Sequence, residues 1–262
     1  MNRPEQHFRA RLAVAISGGA LVAALFPFVG TALAATSVTT PASASISADT
    51  AVGATRGTTA WTPLSGPVVT EGAAADIPNS GTVTLTLTGS WEFNTGATVD
   101  VVPGVATGAC AITATGEAIT ATTIAVTLGG TVTATTDRCK LTWTGIQVRP
   151  TSGVMPNVGA LTLSGAVSGA AGTLTMTIGA PVLTFTQQPS GSAVGGAVLA
   201  LQPKVKSADQ FNNERIGDAV TLSVNTYPTG GTLTCTTNPV STVNVSGDAI
   251  AAFTAQFDEV VG

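Results

Sequence analysis

Histidine is almost missing from this chain: the only one, His7, lies close to the N-terminus. Beyond it there is no imidazole to act as a general base, to complete a Ser-His-Asp or Cys-His apparatus, or to ligate a metal. That removes the commonest acid–base group at neutral pH, and the expectation is a protein that is not an enzyme. Charge is scarce as well, at 9% of residues, and after Ala34 seven Lys/Arg face thirteen Asp/Glu. A mildly acidic chain with no basic cluster does not fit nucleic acid as a partner. Aromatic residues make up 5%, and no stretch shows the spacing of an amphipathic helix. Three cysteines, with no histidine near them, have the wrong spacing for a structural zinc site.

What is present begins with the N-terminal stretch. "MNRPEQHFRAR" supplies Arg3, Arg9 and Arg11, the apolar "LAVAISGGALVAALFPFVG" follows, and "TALAA" offers an Ala-x-Ala site at Ala32 to Ala34. Charge, apolar core and small-residue exit in that order predict a secretory signal peptide over residues 1–34. A membrane anchor is the alternative, since the apolar run nearly reaches spanning length. No later run is long and apolar enough to cross a bilayer, so the mature chain is expected to lack a transmembrane segment and to be secreted or held at the cell surface.

Residues 35–58 are small and polar and read as a linker or disordered segment. From Trp61 onward a period of two takes over. "GTVTLTLTGSWEF" sets Val83, Leu85 and Leu87 on one face and Thr82, Thr84, Thr86 and Thr88 on the other. The same alternation recurs around Ile124, Val126 and Leu128, around Leu141 and Trp143, and around Leu161 and Leu163, then Leu174 and Met176. Turn-forming "IPNSG", "VPGV" and "MPNVG" lie between these runs. The pattern predicts an all-β protein with a first antiparallel β-sandwich over residues 59–180. A second set of strands, carrying Leu199, Leu201, Val205, Val220, Leu222, Leu233 and Phe253, predicts a second sandwich over residues 181–262.

The second half contains "LTFTQQPSGSAVGGAVLALQPKVKSADQFNN", then "VTLSV", "GTLTCTTNPVSTV" and "AAFTAQF". In combination these resemble the bacterial immunoglobulin-like modules that occur in tandem on secreted and cell-surface proteins. The first half, through "LSGPVVTEGAAADI", "GTVTLTLTGSWEFN" and "LTWTGIQVRPTSG", looks more loosely like immunoglobulin-like or cohesin-like sandwiches. The resemblance implies two tandem immunoglobulin-like domains serving as a spacer, adhesion or envelope component, with an unknown protein or glycan at the cell surface as partner. In such modules the Phe-bearing strand is followed by a last long strand. None follows "AAFTAQF" here, so the second sandwich is expected to be incomplete, as a fragment or with the strand supplied by another subunit.

Cys110 and Cys139 share the predicted first sandwich and lie at neighbouring strand ends, which in an exported chain predicts a disulfide; two free thiols are the alternative. Cys235 is left over, and the resemblance places its usual partner after the Phe strand, where this chain has no cysteine. Trp143 alternates with Leu141 and reads, with Trp91, as core, whereas Trp61 before "TPLSGP" stays open as a stacking surface for a sugar ring. That carries the alternative function, a carbohydrate-binding accessory module of a secreted hydrolase. Glu71, Asp76, Glu92, Asp100, Glu117 and Asp137 read as solvated loop carboxylates with nothing to pair them.

The charged island "KVKSADQFNNER" reads as a strand whose Lys204 and Lys206 face solvent around an inward Val205, followed by a turn over Asp209 to Asn213. No cofactor is expected. The alternative at this turn is calcium, because Asp209, Asn212, Asn213 and Glu214 are all oxygen donors, though without the acidic spacing and central glycine of a dedicated calcium loop.

Overall fold

Alternating Val/Leu/Ile and Thr is a strand signal because β-branched residues fit a pleated, half-buried surface, and strands dominate the computed structural model. It describes residues 37–39, 45–56, 60–131, 136–190, 196–224 and 231–259, leaving aside the side chains of residues 231 and 257–259. The predicted signal peptide lies outside the described residues. Among the described residues no helix is long and apolar enough to cross a membrane, and the only helical turn is the 3-10 segment Ala48–Thr50.

In the first half, a six-stranded sheet runs in the order Ser45–Ser47, Gly169–Thr177, Val158–Gly165, Gly81–Leu87, Thr123–Gly130, Ile112–Ile119. Four of its five pairings are antiparallel, and Ser45–Ser47 joins parallel to Gly169–Thr177. The register puts Val83 opposite Val126, and Leu85 opposite both Ile124 and Leu163, so the apolar residues meet on one side. Thr84 and Thr86 share the other side with Ser164 and Thr162. A four-stranded sheet (Ser37–Thr39, Val68–Thr70, Arg138–Thr144, Asp100–Thr107) and a three-stranded one (Thr62–Pro63, Gln147–Pro150, Trp91–Phe93) supply the facing layer. Val69, Leu141, Trp143, Phe93 and Val148 from these sheets join Val83, Leu85, Ile124 and Leu161 in one buried cluster. This is the sandwich that the alternation predicts.

One boundary moves. Residues 37–39 and 45–47 are strands of these sheets, and Ile46, Ala48 and Ala51 are buried. The linker expected over residues 35–58 is therefore, in its described parts, mostly structure of the first half. Its residues are too small and too few to show a period, and the order comes from pairing with strands far along the chain.

The second half forms a four-stranded antiparallel sheet in the order Val182–Gln187, Lys204–Ala208, Asp248–Ala252, Val243–Val245. Two further strand pairs, Ala219–Val220 with Val240–Ser241 and Gly231–Cys235 with Ala255–Glu259, complete its described strands. Its buried cluster is small: Val205, Val220, Ala251 and Phe253, with Leu222 and Val240 packed against it. Leu201, expected in a strand, lies outside one and is exposed, as are Leu183 and Phe185 at 54% and 44%. Two glutamines brace this half: Gln187 Nε2 donates to Gln202 O at 2.7 Å, and Gln202 Oε1 accepts from Ala255 N at 2.6 Å.

Candidate functional site

The island "KVKSADQFNNER" is where the two halves meet. Val205 points inward as predicted. Lys204 is exposed, but Lys206 is ion-paired, its Nζ 2.6 Å from Glu214 Oε1 and 2.8 Å from Asp248 Oδ1. These carboxylates, Asp248 first and then Glu214, hold the Lys206 pKa above its usual value.

The turn is only partly solvent-facing: Asn212 is exposed, but Asp209 and Asn213 are buried. Asp209 is only 3% exposed and its carboxylate accepts four hydrogen bonds. Oδ1 takes the amides of Phe211 (2.9 Å) and Asn213 (3.0 Å), and Oδ2 takes Asn213 Nδ2 (2.7 Å) and the amide of Gly179 (2.9 Å) from the first half. Burial alone would raise this carboxyl's pKa; the donors from Asn213, Gly179 and Phe211 together outweigh burial and hold it below the ordinary value. Asn212 has φ +66°, the left-handed conformation that asparagine tolerates.

Each neighbour of Asp209 reaches across in turn. Asn213 Nδ2 donates to Gly153 O at 2.7 Å, and Asn213 Oδ1 accepts from Met155 N at 2.8 Å. Gln210 Oε1 accepts from the amides of Thr55 (2.6 Å) and Arg56 (2.9 Å), while its Nε2 donates to Asp49 Oδ1 (2.7 Å) and Arg56 O (2.8 Å). Asp49 closes the loop by accepting from Ala180 N at 2.6 Å. Arg215 donates to Gly179 O at 2.6 Å and forms a two-pronged pair with Asp218, at 2.6 and 3.1 Å, that holds the Asp218 pKa down, helped by Ser207. The close fit needs glycine twice: a Cβ on Gly153 would clash with the Phe211 ring, and one on Gly179 would clash with Asp49 Oδ1.

This arrangement is a clasp of mutually satisfied polar groups centred on the buried Asp209 and Asn213. Of the four residues weighed as calcium ligands, three have their oxygens in use here: both of Asp209 and the Oδ1 of Asn213 accept from N–H groups, and Glu214 accepts from Ala249 N at 2.7 Å besides pairing with Lys206, while Asn212 is exposed. Among the described residues, no group of three His, Cys, Asp or Glu side chains is placed to hold a metal ion.

The remaining candidate residues fall elsewhere. Cys110 and Cys139 form a disulfide with a Cα–Cα distance of 5.2 Å. Next to it, Glu71 is 4% exposed, so it is no solvated loop carboxylate; one oxygen accepts from Ile77 N at 2.9 Å and the other from Cys139 N. Glu71 and Asp137 line one small pocket beside Cys139, but with both oxygens of Glu71 engaged by amides the visible task of Glu71 is to hold the strand that carries the disulfide. Glu92 pairs with Arg149, and Asp76 accepts from Ala73 N. Cys235 is a free thiol whose pKa is raised by burial. Trp91 and Trp143 are core residues; Trp61 is half-buried, with the Arg149 guanidinium 4.1 Å from its ring centroid.

No family model, curated protein or solved structure matches this chain. The clasp therefore stands on its own geometry. Its participants, Asp49, Thr55, Arg56, Gly153 and Gly179, lie up to 161 positions from their partners in the island. The one signal in sequence was the concentration of charge and amide side chains in a chain otherwise poor in both.

Proposed function

We propose that this protein is an exported, non-enzymatic structural module, a spacer or adhesion element of a bacterial cell surface, in which two β-sandwich units are held as one stiff body. The observation that carries this reading is the clasp. Flexible tethers between domains are rich in Gly, Ser or Pro and leave their backbone solvated. Here a buried carboxylate, a carboxamide pair and a guanidinium spend their hydrogen-bonding capacity on the backbone of the neighbouring half. A rigid joint keeps whatever is displayed at a fixed distance and angle, which is useful in a spacer. The signal-peptide pattern and the immunoglobulin-like resemblance supply the surface location.

Small-angle scattering tests the stiffness. The full chain is expected to fit a single rigid shape, whereas Asp209→Ala combined with Gln210→Ala gives a larger radius of gyration and a featureless Kratky plot. Equal flexibility in both proteins would remove the spacer reading. A reporter enzyme active only outside the cytoplasm, fused to residues 1–60, tests export.

A further inference from the structure

The outer face of the three-stranded sheet carries a second arrangement, remote in sequence from the clasp. Arg149 stands opposite Glu92 in the register, and Arg149 Nε lies 2.6 Å from Glu92 Oε1. Gln147 pairs with Pro63 and Val148 with Thr62, so Trp61 continues the line on the other side of Arg149, and the guanidinium sits over its ring. The adjacent row places Gln147 beside Asn94, whose Nδ2 donates to Gln147 Oε1 at 2.7 Å. Val148, Trp91 and Phe93, with the opposite alternation, are buried and fix the strands underneath.

We propose that this face is a binding site for a neutral oligosaccharide. Three features select that class. The Arg149 guanidinium covers one face of the Trp61 ring, held there by the ring quadrupole, so the stacked pair offers the outward plane of the guanidinium and the exposed part of the half-buried indole to the C–H faces of a pyranose ring. Both Nη atoms of Arg149, Oε2 of Glu92 and Nε2 of Gln147 have no protein partner among the described residues, which leaves planar donors and an acceptor fixed at the surface, the groups that pair with vicinal hydroxyls. The one positive and one negative charge cancel within the pair, so the face carries no net charge with which to attract a phosphate, a sulfate or a uronate. The site is independent of the spacer reading: a stiff module can display it, and each can fail alone.

Calorimetric titration of the full chain with cellohexaose, xylohexaose, chitohexaose and mannohexaose tests the assignment. At least one is expected to bind. Trp61→Ala and Arg149→Lys each weaken that binding about tenfold or more, Trp61→Phe retains most of it, and Asp209→Ala leaves it intact. The unchanged near-ultraviolet signal of buried Trp91 and Trp143 verifies folding of the variants. Absence of binding to all four sugars, binding that survives Trp61→Ala, or tighter binding to polygalacturonate than to any neutral sugar would overturn the proposal.

Discussion

The two hydrophobic clusters of this chain were built from the same alphabet of Thr, Val, Leu and Gly, yet they differ greatly in size. In the first half 27 described residues make one buried cluster that includes Trp91, Trp143 and Phe93; in the second the cluster has four members, one of them an alanine. The second half also leaves Leu183, Phe185, Val198 and Leu201 exposed and the outer edge of Val182–Gln187 unpaired among the described residues. Small β units with little apolar burial are marginal by themselves. The lesson is that the second half borrows stability: what its core does not supply, the clasp does, by anchoring its central turn to the larger half.

The most damaging way to break that dependence is Asp209→Ala. It strands the amides of Gly179, Phe211 and Asn213 and one of the two N–H groups of the Asn213 side chain, whose other bond to Gly153 O remains, at a cost of about 3–5 kcal/mol. The loss should be local. Hydrogen exchange is expected to show Val205 and Ala251 losing protection while Leu85 and Leu161 keep theirs. One coincident transition at the wild-type midpoint would mean that the halves do not lean on each other. Replacing Cys110 and Cys139 by serine is the mirror experiment. Opening a loop of sequence separation 29 costs about 3–4 kcal/mol on the chain-entropy model, and the effect should appear in the first half.

Gly153→Ala probes the same joint by steric means. The new Cβ meets the Phe211 ring, and moving the ring costs about 1–3 kcal/mol. A urea midpoint lowered for second-half probes alone is the expected result. Acid should do likewise without mutation. Asp209 and Asp218 have depressed folded pKa values, so their contribution is present above the unfolded carboxylate pKa of about 3.9 and fades as pH falls through the lower folded values. Protection of second-half amides should therefore decline first below about pH 4, with Asp209→Asn flattening that dependence.

How much of this was legible in the sequence follows from range. Strict alternation is a local signal, and it placed Val83, Leu85, Leu87, Ile124, Val126 and Leu128 correctly in the core. The turn chemistry of Asp209 and Asn212 is local too, and both residues behave as their side chains dictate. Whether that turn faces water or another sheet depends on where Gly153 and Gly179 end up, which no period or propensity encodes. Glu71 was misread for the same reason: its amide partners, Ile77 and Cys139, lie 6 and 68 positions away. Leu201 departs in the opposite sense: expected in a strand, it lies before Lys204–Ala208 and is exposed, since an apolar residue is buried only if something covers it.

The smallest effect should come from the most conspicuous charges. Lys206 bridges Glu214 and Asp248 at the surface of the second half, within the island that draws the eye in the sequence. Its side chain keeps only part of its exposure, but the Asp248 side chain is half exposed, and a solvated pair of this kind contributes about 1 kcal/mol or less. Because the Lys206 pKa is raised, its contribution is complete below the unfolded lysine value of about 10.4 and is lost as pH climbs through the higher folded value, far from the acid window of the clasp. Lys206→Ala, Asp248→Ala and the double variant form a cycle in which the coupling should be under about 1 kcal/mol and shrink with salt. A coupling as large as the Asp209→Ala effect would mean that the second half is held by its own surface charges, and the contrast between a self-sufficient sandwich and a dependent one would fall.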